Sequence, residues 1–155
     1  MKKAKKKIII TGGTGLVGSS IVKTAKEDHN VLATWHSNTI KSKDILSERI
    51  DITNAEDCQN LVERYNPDCV IHTAIDFEGF VKCEKDTEEK NRRGIVDATI
   101  NTLDAYIKIG TYLIYISSSD WVFDGEIQIG SRYLEDDNAI PICNYGRLKL
   151  KLPIK

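Results

Sequence analysis

The chain has 155 residues, 41% hydrophobic and 29% charged, with 22 Lys and Arg against 23 Asp and Glu, the proportions of one ordinary soluble domain. No apolar run approaches the ~20 residues of a membrane helix, and the Lys-rich start leads only into Ile8-Ile9-Ile10 before glycines begin, so it is no signal peptide and a cytoplasmic location is expected. Five of the 22 cations fall within the first seven residues, leaving 17 against 23 acids; the basic charge is a tail rather than a face, which argues against nucleic acid as a partner.

Short β-branched runs alternate with longer amphipathic ones, which predicts strands alternating with helices around a parallel sheet. Residues 7–11 (KIIIT) read as a buried strand. Residues 16–27 read as a helix whose core-facing positions are expected at Leu16, Val17, Ser20, Ile21 and Thr24. A second strand covers 30–35 and a short third ends near Ile50. Thr53 or Asn54 then caps a helix through Arg64, and Asn66-Pro67 ends it before a fourth strand over 69–73. A long helical stretch runs from about Glu84 to Lys108 and closes at Gly110. Residues 112–117 (YLIYIS) form the expected central fifth strand, 120–141 read as loop, and a last short helix starts near Asn144 and is stopped by Pro153. The expected fold is α/β, a Rossmann-type doubly wound parallel sheet of about five strands in the order 3-2-1-4-5. Cys58, Cys69, Cys83 and Cys143 form no CxxC pair and have no flanking His at ligand spacing; they read as reduced packing residues, with no metal site expected.

Directly after the first strand comes Thr11-Gly12-Gly13-Thr14-Gly15-Leu16-Val17-Gly18. Gly12 allows a tight strand-to-helix turn, Gly15 lets backbone approach a pyrophosphate, and Gly18 lets helix and strand pack closely, while free N–H groups at the helix start face the anion. The loop therefore predicts a dinucleotide, with Gly12, Thr14, Gly15, Leu16 and Val17 as contacts. Sites for the unphosphorylated ribose place an acid about 20 residues further on. Position 38 is Asn, and Thr34-Trp35-His36-Ser37-Asn38 contains no acid. A 2′-phosphate is then not repelled, and His36, Ser37, Lys41 or Lys43 could donate to it; NADP(H) is expected over NAD(H). Taken alone, His36 reads as a surface histidine and Trp35 as a half-buried aromatic at a strand end.

Tyr145 and Lys149 stand four residues apart on the last helix, hence on one face. Ser117, Ser118 and Ser119 stand at the end of the fifth strand. A tyrosine titrates near ~10 unperturbed, so a neighbouring cation and a hydroxyl partner are what make it a useful acid near neutrality.

These motifs together resemble the extended short-chain dehydrogenase/reductases, within them the dTDP-4-dehydrorhamnose reductase branch. The matching residues are TGGTGLVG at 11–18, Asp51-Ile52-Thr53, PDCVIHTA at 67–74, Cys83-Glu84, Asn91-Arg92-Arg93-Gly94, SDWVFDG at 119–125, YLEDD at 133–137 and YGRLK at 145–149. The resemblance implies NADP(H)-dependent reduction of a ketone on a deoxyhexose attached to dTDP. Tyr145 would protonate the oxygen, Ser119 polarise the carbonyl, and Lys149 lower the tyrosine pKa and hold the nicotinamide ribose. It further implies that Asp51 and Ile52 lie against the adenine, that Thr73 and Ala74 line the cofactor cleft, and that Asn91 braces the sheet near the active site. Ile75 stands where relatives carry an alanine and is expected to crowd that cleft. Residues 1–155 are expected to be the NAD(P)-binding domain, with 1–6 a basic tail and the substrate-binding domain absent. A sheet ending at its fifth strand leaves an edge and an apolar face uncovered, so association with a second copy or a partner protein is expected. The same branch includes the regulatory beta subunit of methionine adenosyltransferase, which implies the alternative of a non-catalytic NADP(H)-binding module.

Overall fold

A computed structural model describes residues 4–75, 88–117, 122–128 and 130–152. Its elements in chain order are β1 (Lys7–Thr11), α1 (Leu16–Asp28), β2 (Asn30–Trp35), β3 (Leu46–Arg49), α2 (Ala55–Tyr65), β4 (Cys69–His72), α3 (Glu88–Arg92), a π-helical turn (Arg93–Asp97), α4 (Ala98–Lys108), β5 (Tyr112–Tyr115) and α5 (Asn144–Leu150). The five strands form one sheet in the order β3-β2-β1-β4-β5, and every neighbouring pair is parallel. The strand order and class are those expected from the sequence, but β5, expected to be central, ends the sheet among the described residues because only β4 pairs with it.

β1 is buried on both faces, which is why it can be an unbroken isoleucine run. Ile9 points to one side, where it packs with Leu32, Val70, Leu61, Val62 and Tyr106 beneath α2 and α4. Ile8 and Ile10 point to the other, against Val22 of α1 and Val31 and Ala33 of β2. The ends of α2 follow local chemistry: the Asn54 side chain accepts from the N–H groups of Glu56 (2.9 Å) and Asp57 (3.3 Å), and Asn66 closes the helix in the left-handed region at φ 48°.

The expected inward face of α1 requires correction. Gly18 and Val22 are buried, with Ile21 and Ala25 packed beside them, whereas Leu16 is 88% exposed and Val17, Ser20 and Thr24 are also exposed. Of the expected positions only Ile21 faces the core. The helix phase is set by Gly18, whose absent side chain would fall 2.2 Å from the Gly12 carbonyl oxygen. At about 100° per residue, putting Gly18 inward turns Leu16 and Ser20 away by about 160° and keeps Val22 and Ala25 within about 40° of the sheet.

Strands β4 and β5 end at His72 and Tyr115, slightly short of the expected bounds. The long helical stretch is observed over 88–108, and residues 93–97 widen to π geometry while the backbone stays helical at both joints, Arg92 and Ala98. The start of that stretch and Cys83 lie outside the described residues. Within 122–141 the described residues form neither helix nor strand, as expected. Here Phe123 stacks on Tyr133 at 4.3 Å, and the Tyr133 hydroxyl donates to Asp124 Oδ1 at 2.6 Å. That bond holds the Asp124 carboxyl below its usual range. No described helix is long and apolar enough to cross a membrane.

Candidate functional site

The strand ends and the glycine loop meet at the C-terminal edge of the sheet, between β1 and β4. Gly12 leaves β1 at φ 67°, a left-handed conformation, and a side chain there would meet the Ala74 backbone at 2.9 Å. Thr11 fastens the loop to β4: its hydroxyl accepts from the N–H groups of Thr73 (3.1 Å) and Ala74 (3.2 Å), and Thr73 Oγ1 donates to the Thr11 carbonyl (2.6 Å). With its lone pairs so engaged, the Thr11 hydroxyl proton goes to His72 Nδ1 at 2.9 Å. His72 is then the Nε2–H tautomer, and burial together with the nearby Lys149 charge lowers its pKa to about 3.

A cleft of about 540 Å³ opens above this junction. Gly12, Thr14, Gly15, Thr73, Ala74 and Ile75 line one part of it, and Thr34 to Asn38 with Ile50 to Thr53 line the other. Of the residues predicted from sequence, Gly12, Thr14, Gly15, His36, Ser37, Asp51, Ile52, Thr73 and Ala74 therefore share one cavity, and Ile75 stands in it as well. Leu16 and Val17 do not line it; they are exposed at the start of α1. Asp51 Oδ1 accepts from the hydroxyl (2.7 Å) and N–H (2.9 Å) of Thr53, bonds that hold its carboxyl below the usual range against the opposing effect of burial. Asn101 of α4 steadies this turn by donating to the Thr53 carbonyl at 3.1 Å. Two buried polar atoms at this end, Thr34 Oγ1 and Trp35 Nε1, have no partner among the described residues. A glycine cradle beside a cleft of this size, lined largely by polar side chains, fits a dinucleotide.

Tyr145 and Lys149 belong to a second cluster. Residues of the π-turn (Ile95, Val96) pack with Leu148 and Leu152, and Tyr115 and Tyr145 lie against this group, which seats α5 on the rest of the fold. Lys149 is only 7% exposed; its ammonium donates to the Tyr115 hydroxyl and lies 4.7 Å from the centre of the Tyr115 ring and 5.6 Å from that of Tyr145. Burial lowers the Lys149 pKa to about 8 and pushes the Tyr115 phenol well up. Tyr115 is the register partner of His72, and their rings stack at 5.9 Å. Thr11, His72, Tyr115 and Lys149 thus form an unbroken line of contacts from the glycine loop to α5. Asn91 is buried on α3, outside the cleft lining. Ser119 lies outside the described residues, as does Ser118; Ser117 is exposed just beyond β5.

Sequence reasoning gave Tyr115, His72 and Asn101 no role at the site. His72 stands within the PDCVIHTA segment and Tyr115 within the fifth-strand run, but only strand pairing and helix packing bring the three to the site.

The parallel order 3-2-1-4-5, with a glycine turn at the β1 end and a cleft across the point where the order reverses, defines a Rossmann-type fold. Residues 6–152 match the family model described as the RmlD substrate binding domain, and the chain belongs to that family. Among curated proteins it is 35% identical over 147 residues to the probable low-salt glycan biosynthesis reductase Agl14 of Haloferax volcanii, covering 91% of this chain and 45% of that one. It is 28% identical over 148 residues to methionine adenosyltransferase 2 subunit beta of Bos taurus, covering 94% and 41% respectively. Among solved structures, dTDP-4-dehydrorhamnose reductase from Bacillus anthracis in complex with NADP superposes with a TM-score of 0.77 at 25% identity, covering 97% of this chain and 48% of that one. The chain spans about half the length of the relatives it matches.

Proposed function

We propose that this chain is the NADP(H)-binding domain of a cytoplasmic nucleotide-sugar reductase acting on a dTDP-4-keto-6-deoxyhexose, residues 1–6 being a basic tail. The observation that carries the reading is the contact line from Thr11 through His72 and Tyr115 to Lys149, which joins the glycine-loop cleft to a Tyr and Lys pair on one helix. Gly12, Thr14, Gly15, Thr73 and Ala74 would hold the pyrophosphate and nicotinamide side, with Leu16 and Val17 at the helix entrance. His36, Ser37, Asp51 and Ile52 would hold the adenosine side. A bound nicotinamide supplies hydride chemistry. Tyr145 gives its phenolic proton to the carbonyl oxygen being reduced, and Ser119 donates a hydrogen bond to the same oxygen. Lys149, buried beside the Tyr115 and Tyr145 rings, would stabilise the phenolate that remains and hold the nicotinamide ribose. Asn91 would brace the sheet near this group. The substrate-gripping part would come from polypeptide outside these residues.

Titration of the chain with NADPH while following tryptophan emission tests the binding reading, because Trp35 lines the cleft. Saturable quenching is expected; its absence in a chain folded by circular dichroism would reject the reading. The catalytic reading is tested in the reductase assembled with its substrate-binding half. There Tyr145→Phe should lower kcat by about 100-fold or more at unchanged NADPH affinity, the range for loss of a general acid; unchanged kcat would remove Tyr145 from catalysis.

The similarity to methionine adenosyltransferase 2 subunit beta favours a second reading, a non-catalytic NADP(H)-binding regulatory module. It predicts NADPH binding and capture of a partner protein from native extract, without any sugar reduction by the assembled protein.

A further inference from the structure

We propose that Arg49, at the C-terminal end of β3, reads the 2′-phosphate of the dinucleotide and so sets the preference for NADP(H) over NAD(H). This rests on the reading of the cleft as a dinucleotide site. Arg49 is the register partner of Trp35, which places it beside the strand end that lines the adenosine part of the cleft. Its Nε donates to the His36 carbonyl at 3.1 Å. That bond fixes the base of the guanidinium at the first residue beyond β2, while Nη1 and Nη2 make no hydrogen bond or ion pair with any described residue.

Arg49 forms no ion pair with any described residue. Its neighbour Glu48 is paired with Arg64 of α2 at 2.6 Å and points to the opposite face of β3. Residues 34–38 carry no acid. Asp51, an ionised acid in the cleft lining, bonds Thr53 through Oδ1 and forms no ion pair with Arg49. The other polar groups nearby offer less: Ser37 Oγ and His36 Nδ1 bond each other at 3.2 Å. A planar fork whose Nη1/Nη2 edge is free matches a phosphate dianion in a way a lysine point charge does not. Arg49 is exposed, so holding a charge there requires no burial, and its attraction to the phosphate should weaken with salt.

The test compares the wild-type chain with Arg49→Ala and Arg49→Lys by calorimetric titration with NADPH, NADH and the fragment 2′,5′-ADP. Loss of a charge-assisted contact should weaken NADPH and 2′,5′-ADP about 10- to 100-fold in Arg49→Ala and leave NADH within about twofold. Arg49→Lys should recover only part of the loss, and the wild-type preference for NADPH should shrink as salt is raised. Equal weakening of NADPH and NADH, no change in either, or a wild-type preference for NADH would each overturn the proposal while leaving the cleft a dinucleotide site. A folded wild-type chain that binds none of the three probes would overturn both this proposal and the reading of the cleft.

Discussion

Gly18 carries two obligations at once, since it lets α1 descend onto β1 and it keeps the Gly12 carbonyl in place. Alanine there would press a methyl carbon to 2.2 Å from a backbone oxygen, with no flexible side chain to yield. Gly18→Ala should therefore cost about 3 kcal/mol, the upper part of the usual range for overpacking, visible as a lower urea midpoint. His72 is a residue of a different kind, a buried base kept neutral. Its folded pKa of about 3 lies below the 6.5 of the exposed side chain, so between those values the unfolded chain binds a proton that the folded one does not. Stability is full above about 6.5 and falls as the pH drops toward 3. His72→Asn should flatten that acid limb in denaturant titrations across the window; an unchanged slope would assign the acid sensitivity to other groups.

At the scale of elements, what is local was legible and what is set by packing was not. The α2 cap is local: Asn54 sits before an acidic first turn, and Asn54→Ala should lower stability by about 1 kcal/mol in thermal unfolding. β1 and the glycine turn are legible for the same reason, each being specified within a few residues. The inward face of α1 was misread because its apolar residues Leu16 and Val17 suggest one phase and the Gly18 contact imposes another. The π-turn has no composition that announces it. Half of the site was readable as motifs, the glycine loop and the Tyr145 and Lys149 spacing. The groups that join them, His72 and Tyr115, become neighbours only through the register of β4 against β5.

For the whole molecule, the decisive asymmetry lies between the two faces of the sheet. One face is covered by α2 and α4. On the other, α1 covers β1 and β2, while Tyr112 is 79% and Ile114 47% exposed on β5. β5 also ends the sheet, so its outer edge is unpaired among the described residues. Such a surface favours association. Sedimentation of the isolated chain should show concentration-dependent self-association, and Ile114→Ser with Tyr112→Ser should reduce it without lowering NADPH affinity, because neither residue lines the cleft.

The π-turn at Arg93–Asp97 makes the helix tolerant of a length change at one place. A π-turn accommodates one residue more than the α-helix around it. Deleting Gly94 would let the hydrogen bonds close up into uninterrupted α-helix with the segments on either side kept near their present phase, because the wide turn had absorbed the extra residue. The same deletion within α4 would instead rotate the two sides of the cut by about 100° relative to each other and turn Asn91 off its buried face. Removal of Gly94 should therefore keep both helicity by circular dichroism and most of the urea midpoint, whereas removal of the exposed Asp104 should lower the midpoint, so that the wide turn holds the one residue this helix can give back.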